Sequence, residues 1–170
     1  NYMVGLLGQR TAQMHLALLT RTGDPAFEPE PVTEDDLRTW VSSVAREAEE
    51  TFDLLESRLG TLSDHRYDLA RWLLDARRDI VARIGAWRGR PDGIEKTRYH
   101  GDYHLGQVLV DHTGKDFFII DFEGEPTRSL EERRGKAAPE KDVAGMLRSF
   151  DYAGRAGLGD SEDATKEVAA

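Results

Sequence analysis

Cysteine is absent from all 170 residues of the chain. Its absence excludes disulfide bonds and thiolate chemistry, and it fits a reducing, cytoplasmic location. Basic residues are outnumbered, because 23 Lys and Arg stand against 32 Asp and Glu and leave a formal net charge of −9. This acidic balance argues against a nucleic-acid partner, since proteins that bind nucleic acid present a basic face.

Long apolar runs are missing as well. No stretch of the sequence approaches the roughly 18 apolar residues of a membrane-spanning helix. The first residues, 1–5, have neither the basic start nor the apolar core of a signal peptide. These features predict no membrane partner. The length fits one hydrophobic core, and we expect residues 1–170 to form a single domain.

Helical periodicity dominates the first half of the chain. Apolar residues recur on one face in residues 6–20, 33–60 and 63–87, which predicts three helices. Thr33 and Asp36 have the spacing of a capping box at the start of the second helix. Tryptophans on the apolar stripe of the third helix, at positions 72 and 87, are expected to pack in the core.

The last third of the chain is highly charged. Residues 127–141 mix Arg, Lys and Glu, which is typical either of a solvated face or of a segment that flanks a substrate cleft. Pro139 suits the first turn of a final helix. We expect that helix to bury its apolar residues, which are Val143, Met146, Leu147 and Phe150.

Two short apolar runs predict a β-hairpin. Residues 108–110 and 117–120 are β-branched and aromatic, and the six residues between them have the composition of a turn. Such a hairpin brings Gln107, at the start of one strand, close to Asp121, at the end of the other. Asp102 lies in the loop just before the first strand. Two carboxylates and an amide oxygen are therefore expected in one small region.

This trio of side chains has a recognisable chemistry. Carboxylate and amide oxygens suit Mg²⁺, which usually binds through one or two carboxylates together with substrate phosphates. Asp102 precedes Gln107 by five residues and Asp121 by nineteen. An aspartate that orients a hydroxyl, an amide five positions later and a further aspartate on the metal form the arrangement of kinase-type phosphoryl transfer. The predicted catalytic residue is Asp102, and Gln107 and Asp121 are the predicted Mg²⁺ and ATP ligands.

The loop around Asp102 has the pattern His-Gly-Asp-x-His-x-x-Gln, which resembles the aminoglycoside phosphotransferase and choline kinase superfamily. Residues 7–18, 100–110, 119–126 and 142–152 look like bacterial maltokinases, including the form fused to trehalose synthase. The resemblance implies an α+β fold, namely the mostly helical C-terminal lobe of a protein kinase-like fold with a small catalytic β-hairpin.

The same resemblance implies an ATP-dependent sugar kinase that converts maltose and ATP to maltose 1-phosphate and ADP, with Mg²⁺ as cofactor, and feeds α-glucan synthesis. The implied partners are maltose, ATP and trehalose synthase, by fusion or in a complex. In such a loop, His100 and His104 stabilise the backbone by hydrogen bonds. Glu123 supports the metal or the substrate, or faces water. Asp142 either caps the last helix or braces the catalytic loop.

A kinase also needs a Gly-rich phosphate loop and a strand lysine. The chain has no Gly-x-Gly-x-x-Gly, and none of its five lysines lies in a Val-Ala-Ile-Lys-like strand. We therefore expect the chain to be the catalytic lobe of a larger enzyme, without the nucleotide-cradling lobe, and to be inactive alone.

Other readings of the loop stay open. The chain could belong to another small-molecule phosphotransferase of the same superfamily. A metal-dependent hydrolase is a second alternative, because His100, Asp102 and His104 together with Asp121 could hold Zn²⁺ or Mn²⁺. A non-catalytic scaffold is the third, although the presence of Asp102, Gln107 and Asp121 argues against it.

Overall fold

The computed structural model describes the backbone of residues 2–167, and the side chains of that range apart from His65 and residues 158–167. The chain divides into two compact units, Pro31–Ile94 and the sequence before and after it. The expectation of a single domain stays a prediction. The elements of the described chain are α1 (Tyr2–Leu18), β1 (Glu30–Pro31), α2 (Glu34–Arg58), α3 (Asp64–Asp75), α4 (Arg77–Ala86), β2 (Glu95–Lys96), β3 (Val108–Val110), β4 (Phe117–Ile119), α5 (Leu130–Arg133) and α6 (Glu140–Glu167).

Helices account for most of the described chain, with β1 paired to β2 and β3 paired to β4 in two small sheets. This arrangement confirms the predicted α+β fold class. Two single 3₁₀ turns, Leu59–Thr61 and Leu105–Gln107, follow α2 and precede β3. Within the described residues, none of the helices combines the length and apolar character needed to cross a membrane.

The unit Pro31–Ile94 consists of α2, α3 and α4. The predicted capping box is confirmed, because the Thr33 hydroxyl accepts from the Asp36 N–H at 3.1 Å and the Asp36 carboxylate accepts from the Thr33 N–H at 2.8 Å. The prediction of one helix across residues 63–87 is wrong, since the chain breaks between α3 and α4 at Ala76. After the break, Arg77 pairs with Glu49 and Asp53 of α2, which ties α4 to that helix.

The expected burial of the tryptophans in this unit is also wrong. Trp72 is 70% exposed and Trp87 is 53% exposed. Ala70 is the buried position of α3, and Trp72, two residues later, must point to the opposite side of a helix that turns every 3.6 residues. Trp87 follows the end of α4 in extended conformation, so it no longer continues the helical stripe.

The second unit is built around Tyr103. A buried cluster joins Leu7 of α1, Tyr103 of the loop and Met146 of α6, with side chains of the β3–β4 hairpin packed against it. The Tyr103 hydroxyl lies 2.8 Å from the Thr11 hydroxyl, which in turn donates to the Leu7 carbonyl at 2.9 Å. Two helices and the hairpin therefore meet at the loop that carries Asp102.

The predicted hairpin is confirmed. β3 and β4 pair antiparallel, with Val108 opposite Ile119 and Val110 opposite Phe117. Arg10 of α1 makes a bidentate salt bridge to Asp116 at the hairpin turn, with both contacts at 2.7 Å. The Arg10 guanidinium, helped by the Phe117 N–H, lowers the pKa of Asp116 to about 2.

The final helix buries a different face from the one expected. Met146 is buried, but Leu147 is 64% exposed and Val143 and Phe150 are also exposed. The face of α6 that meets the loop consists instead of Asp142, Gly145, Met146 and Ser149. Small and polar residues form this contact because the partner is loop backbone, which offers N–H groups and requires close approach.

Gly145 gives the first test of this contact. A Cβ added to Gly145 would lie 2.8 Å from the Tyr103 carbonyl oxygen, so α6 and the loop would have to move apart. We expect Gly145→Ala to lower the free energy of unfolding by about 1–3 kcal/mol, as overpacking does. The measurement is urea unfolding of the protein that carries this chain.

The matched control is Gly154→Ala on the same helix, where an added Cβ would meet nothing within 4 Å. Alanine is a better helix former than glycine, so this variant should gain about 0.5–1 kcal/mol. Equal changes of the same sign in both variants would contradict the close packing described for Gly145.

Candidate active site

The loop that carries Asp102 is held by a buried carboxylate. Asp142, near the start of α6, is 2% exposed and accepts hydrogen bonds from the N–H groups of His100 at 2.9 Å and Gly101 at 3.0 Å. His15 of α1 donates from Nε2 to the same carboxylate at 3.0 Å. Of the two sequence-based alternatives for Asp142, this geometry is that of a residue that braces the loop.

The charge of Asp142 is stabilised by its donors. Burial raises the pKa of Asp142, but the hydrogen bonds from His15, Gly101 and His100 lower it by more, so it stays below its usual value. The carboxylate is therefore ionised at neutral pH, as its three donors require. His15 has the structural role expected of a lone histidine on a helix.

His100 connects the loop to the end of β4. Its side chain is fully buried, and its Nε2 lies 2.8 Å from the Ile120 carbonyl oxygen while its Nδ1 accepts from the Asp102 N–H at 3.3 Å. An imidazole with its proton on Nε2 satisfies both contacts. The rings of Tyr103 and Phe122 pack against it at centroid distances of 5.2 and 4.8 Å. One ring thus joins the residue before Asp121 to the backbone of Asp102.

Two glycines allow the same two segments to approach each other. Gly101 has φ +87° and Gly124 has φ +76°, both in the region that disfavours other residues. A Cβ added to Gly101 would lie 3.0 Å from the Gly124 Cα. The loop before β3 and the turn after β4 are therefore in direct backbone contact.

Gln107 and Asp121 face each other at the open end of the hairpin. The Gln107 side-chain amide donates from Nε2 to the Asp121 carboxylate at 3.0 Å. The backbone carbonyl of Gln107 accepts from the Ile120 N–H, also at 3.0 Å. The structure brings these two side chains together, as the hairpin predicted. Asp121 has φ +65°, which is rare for a residue other than glycine, although Asp and Asn tolerate it best.

Asp102, His104 and Glu123 remain accessible. His104 accepts the Gly106 N–H on Nδ1 at 3.0 Å, and its Nε2 lies 3.8 Å from the Asp102 carboxylate. The Asp102 side chain is half-buried, while Glu123 is exposed. The backbone of Asp102 is thus fixed by its contact with buried His100, while its carboxylate stays accessible.

The chemistry of the donors fits Mg²⁺ better than Zn²⁺. One carboxylate, from Asp121, and one amide, from Gln107, are hard ligands of the number that Mg²⁺ takes when phosphates complete its shell. Among the residues whose side chains the structure describes, no group of three or more His, Cys, Asp or Glu is arranged to hold a metal. Both ring nitrogens of His100 are already used, so the ligand set of the hydrolase alternative is not assembled.

Sequence reasoning missed part of the support for the loop. Ser149 of α6 accepts the Leu105 N–H at 3.0 Å, and Gly145 passes directly over the Tyr103 carbonyl. The available signal was the spacing of Asp142, Gly145 and Ser149, which lie three and four residues apart on one helical face. A glycine inside a helical pattern often marks such a close contact.

Comparison with known proteins assigns the chain to a family of phosphotransferases. Solved structures of glucosamine kinase, among them one in complex with glucosamine, ADP and inorganic phosphate, match the chain with a TM-score of 0.63 at 26% identity, over 89% of this chain. The model of the phosphotransferase enzyme family APH matches residues 1–162, and the chain belongs to that family.

Curated relatives support the same assignment. The chain is 30% identical over 149 residues to a glucosamine kinase from Streptacidiphilus jiangxiensis. The aligned region is 88% of this chain and 30% of the relative. It is 33% identical over 147 residues to a glucosamine kinase from Mycolicibacterium smegmatis, covering 86% of this chain and 32% of the relative. The chain thus spans about a third of the length of these relatives. The predicted superfamily is confirmed, while the narrower likeness to maltokinases stays a prediction.

Asp142 provides a pH-dependent test of the loop. Asp142→Asn removes the charge and replaces one acceptor oxygen by an N–H donor, which would face either the Gly101 N–H or the N–H groups of His100 and His15. We expect a loss of about 1–3 kcal/mol of unfolding free energy at pH 7, typical for a broken buried hydrogen bond. Because the pKa of Asp142 is lowered on folding, its contribution is present above the usual carboxyl pKa of roughly 3.9 and is lost as the pH falls further.

The measurement is urea unfolding between pH 7 and pH 3, and the gap between wild type and Asp142→Asn should narrow below about pH 4. Asp151→Asn is the control, since Asp151 is exposed on the same helix and pairs only with Arg155. It should change stability little. A gap for Asp142→Asn that is constant across this pH range would contradict an ionised Asp142.

Proposed function

We propose that this chain is the catalytic lobe of an ATP-dependent sugar kinase, which transfers the terminal phosphoryl group of ATP to a sugar hydroxyl. The observation that carries the proposal is the His100 ring, which binds the Asp102 backbone at one nitrogen and the Ile120 carbonyl next to Asp121 at the other. An acceptor-binding carboxylate and a phosphate-side carboxylate are thereby fixed relative to each other. Membership of a phosphotransferase family supports this division of roles.

Asp102 is the residue proposed to act on the acceptor. Its carboxylate accepts a hydrogen bond from the sugar hydroxyl, orients the oxygen toward the terminal phosphorus and takes the proton as the new P–O bond forms. The bond between that phosphorus and the oxygen bridging to the β-phosphate breaks, and ADP leaves. Because such transfer is largely dissociative, positioning contributes more than proton removal.

Gln107 and Asp121 are the residues that would hold Mg²⁺ and, through it, the phosphates of ATP. When bound, the ion neutralises charge on the phosphates. The 3.0 Å contact from Gln107 Nε2 to the Asp121 carboxylate supports this role by proximity alone, because the ligand would be the Gln107 amide oxygen and not Nε2. Glutamine keeps the amide oxygen that asparagine supplies in the protein-kinase loop, on an arm one methylene longer.

His104 and Glu123 are assigned supporting roles. With Nδ1 occupied by the Gly106 N–H, the proton of His104 lies on Nε2, the atom 3.8 Å from the Asp102 carboxylate. The polar N–H of His104 therefore lies beside the Asp102 carboxylate. Glu123 is exposed beside Asp121, where it can contact the substrate or water.

The sugar is the least constrained part of the proposal. Glucosamine is the first candidate, because the curated relatives and the solved structures are glucosamine kinases. Maltose is the second, on the motif resemblance to maltokinases around residues 100–110 and 119–126. If maltose is the acceptor, trehalose synthase is the expected partner. A reaction that consumes ATP fits the cytoplasmic location expected from the sequence.

Replacing Asp102 and Asp121 by asparagine, one at a time, tests their proposed roles in the full-length protein. Asp102→Asn should lower kcat for sugar phosphorylation by about 10²–10⁴-fold, the range for a positioned general base, and leave ATP affinity nearly unchanged. Asp121→Asn should instead raise the Mg²⁺ concentration needed for activity, because a charged ligand is lost. Asparagine tolerates the positive φ of this position, so the turn is retained.

Rate, ATP affinity and metal affinity are measured for each variant, with Asp151→Asn as the control for an exposed aspartate. If Asp102→Asn loses metal as severely as Asp121→Asn, both residues are metal ligands and the proposed division of roles is wrong.

The absence of the phosphate-loop and lysine motifs gives a further prediction. Residues 1–170 alone should bind Mg·ATP weakly or not at all and should phosphorylate neither glucosamine nor maltose, because they contain no Gly-x-Gly-x-x-Gly and no lysine in a Val-Ala-Ile-Lys-like segment. The full-length protein should phosphorylate one of these sugars, measured as ADP release with each sugar in turn. Rapid turnover by the isolated chain would show that the phosphate-cradling elements are not required.

A further inference from the structure

The turn that follows β4 has an unfavourable backbone conformation at Asp121. Asp121 adopts φ +65° and Gly124, three residues later, adopts φ +76°. A non-glycine residue in this region costs free energy and persists only where the surrounding structure holds it. The proposed Mg²⁺ ligand Asp121 therefore depends on whatever packs against this turn.

Gly124 is packed from two sides. On one side is Gly101, whose added Cβ would lie 3.0 Å from the Gly124 Cα. On the other side is Arg133 of α5, because a Cβ added to Gly124 would lie 3.3 Å from both Cβ and Cγ of Arg133 and 3.5 Å from its Cδ. The aliphatic stem of Arg133, the turn and the loop that carries Asp102 thus approach each other so closely at Gly101 and Gly124 that neither glycine has room for a side chain.

The charged end of Arg133 contributes little to this packing. Its NH1 reaches the Glu123 carbonyl oxygen at only 3.4 Å, and its Nε is buried without a hydrogen-bond partner among the described residues. A buried N–H without a partner lowers stability. The contact that holds the turn is therefore the stem of the side chain.

The helix that carries Arg133 is itself well anchored. Ser129 and Glu132 form a capping box at its start, with hydrogen bonds of 3.2 and 2.9 Å. At its end, Arg98 donates to the Arg134 carbonyl oxygen. Short as it is, α5 can serve as a fixed support, because it is tied to the segment that leads into the catalytic loop.

We propose that Arg133 is a positioning residue: its aliphatic stem presses Gly124 against Gly101 and so fixes Asp121 relative to Asp102. Arg133 does not touch the reacting groups. The inference rests on the proposed function for its effect on catalysis, but its structural part stands independently of that function.

The catalytic test compares Arg133→Ala with Arg133→Met in the full-length protein. Alanine removes Cγ and Cδ, so kcat should fall about tenfold or more, since small misplacements at such sites are costly. The Mg²⁺ requirement should rise, with little change in the KM for the sugar. Methionine keeps the stem and removes the buried Nε, so it should retain wild-type kinetics and at least wild-type stability. A methionine variant as impaired as the alanine variant would overturn the role of the stem.

The structural test uses amide hydrogen exchange without any ligand. Exchange in residues 100–102 and 121–124 should be faster in Arg133→Ala than in wild type, and unchanged in Arg133→Met. Arg134→Ala is the matched control, because Arg134 is exposed and contributes its backbone carbonyl, which alanine keeps.

Alanine is the strongest helix former, so the truncation preserves α5. Unchanged exchange in both segments of Arg133→Ala would overturn the inference. If the full-length wild type phosphorylates no sugar, the proposed function fails, and the exchange experiment still decides whether Arg133 supports the turn.

Discussion

The buried carboxylate of Asp142 is the interaction on which the rest of the site depends. A charge taken out of water is costly unless hydrogen bonds replace its hydration, and Asp142 obtains them from the loop N–H groups of His100 and Gly101 and from His15. These donors come from two separate regions, α1 and the loop that carries Asp102, and the acceptor belongs to α6. Satisfying one anion therefore fixes three parts of the fold at once.

Polar residues in this site are divided between support and chemistry. His100 and Asp142 are almost completely buried, and every contact they make is to protein backbone or to another supporting side chain. Asp102, Gln107 and Asp121 are more accessible, and their side chains make few contacts. Such a division is what preorganisation requires, because groups that meet a substrate must be free to do so while their backbones cannot move. The strained turn at Asp121 extends the same logic, since its conformation is held from outside by Gly101 and Arg133.

Local signals in the sequence predicted the elements that depend on local chemistry. The capping box at Thr33, the hairpin and the proximity of Gln107 to Asp121 all follow from turn residues, strand periodicity and register.

Apolar periodicity failed to predict the buried helix face where the contact was not apolar. On α6 it selected Val143 and Leu147, whereas the helix places Asp142, Gly145 and Ser149 against loop backbone. On α3 it selected Trp72, whereas Ala70 lies inward. Both errors come from long-range partners that a single helix does not reveal.

The contrast between local signals and long-range packing also explains why the proposed reaction class is better defined than the proposed sugar. Phosphoryl transfer needs an aspartate, an amide and a second aspartate at fixed positions, and a loop followed by a hairpin supplies them within twenty residues of sequence, from Asp102 to Asp121. Recognition of a sugar needs side chains from several elements whose arrangement is set by tertiary packing. A motif of the first kind can be shared by kinases with different acceptors, since the transferred group is always the same. Resemblance to maltokinases and similarity to glucosamine kinases are therefore compatible, because a shared phosphoryl-transfer motif does not specify the acceptor.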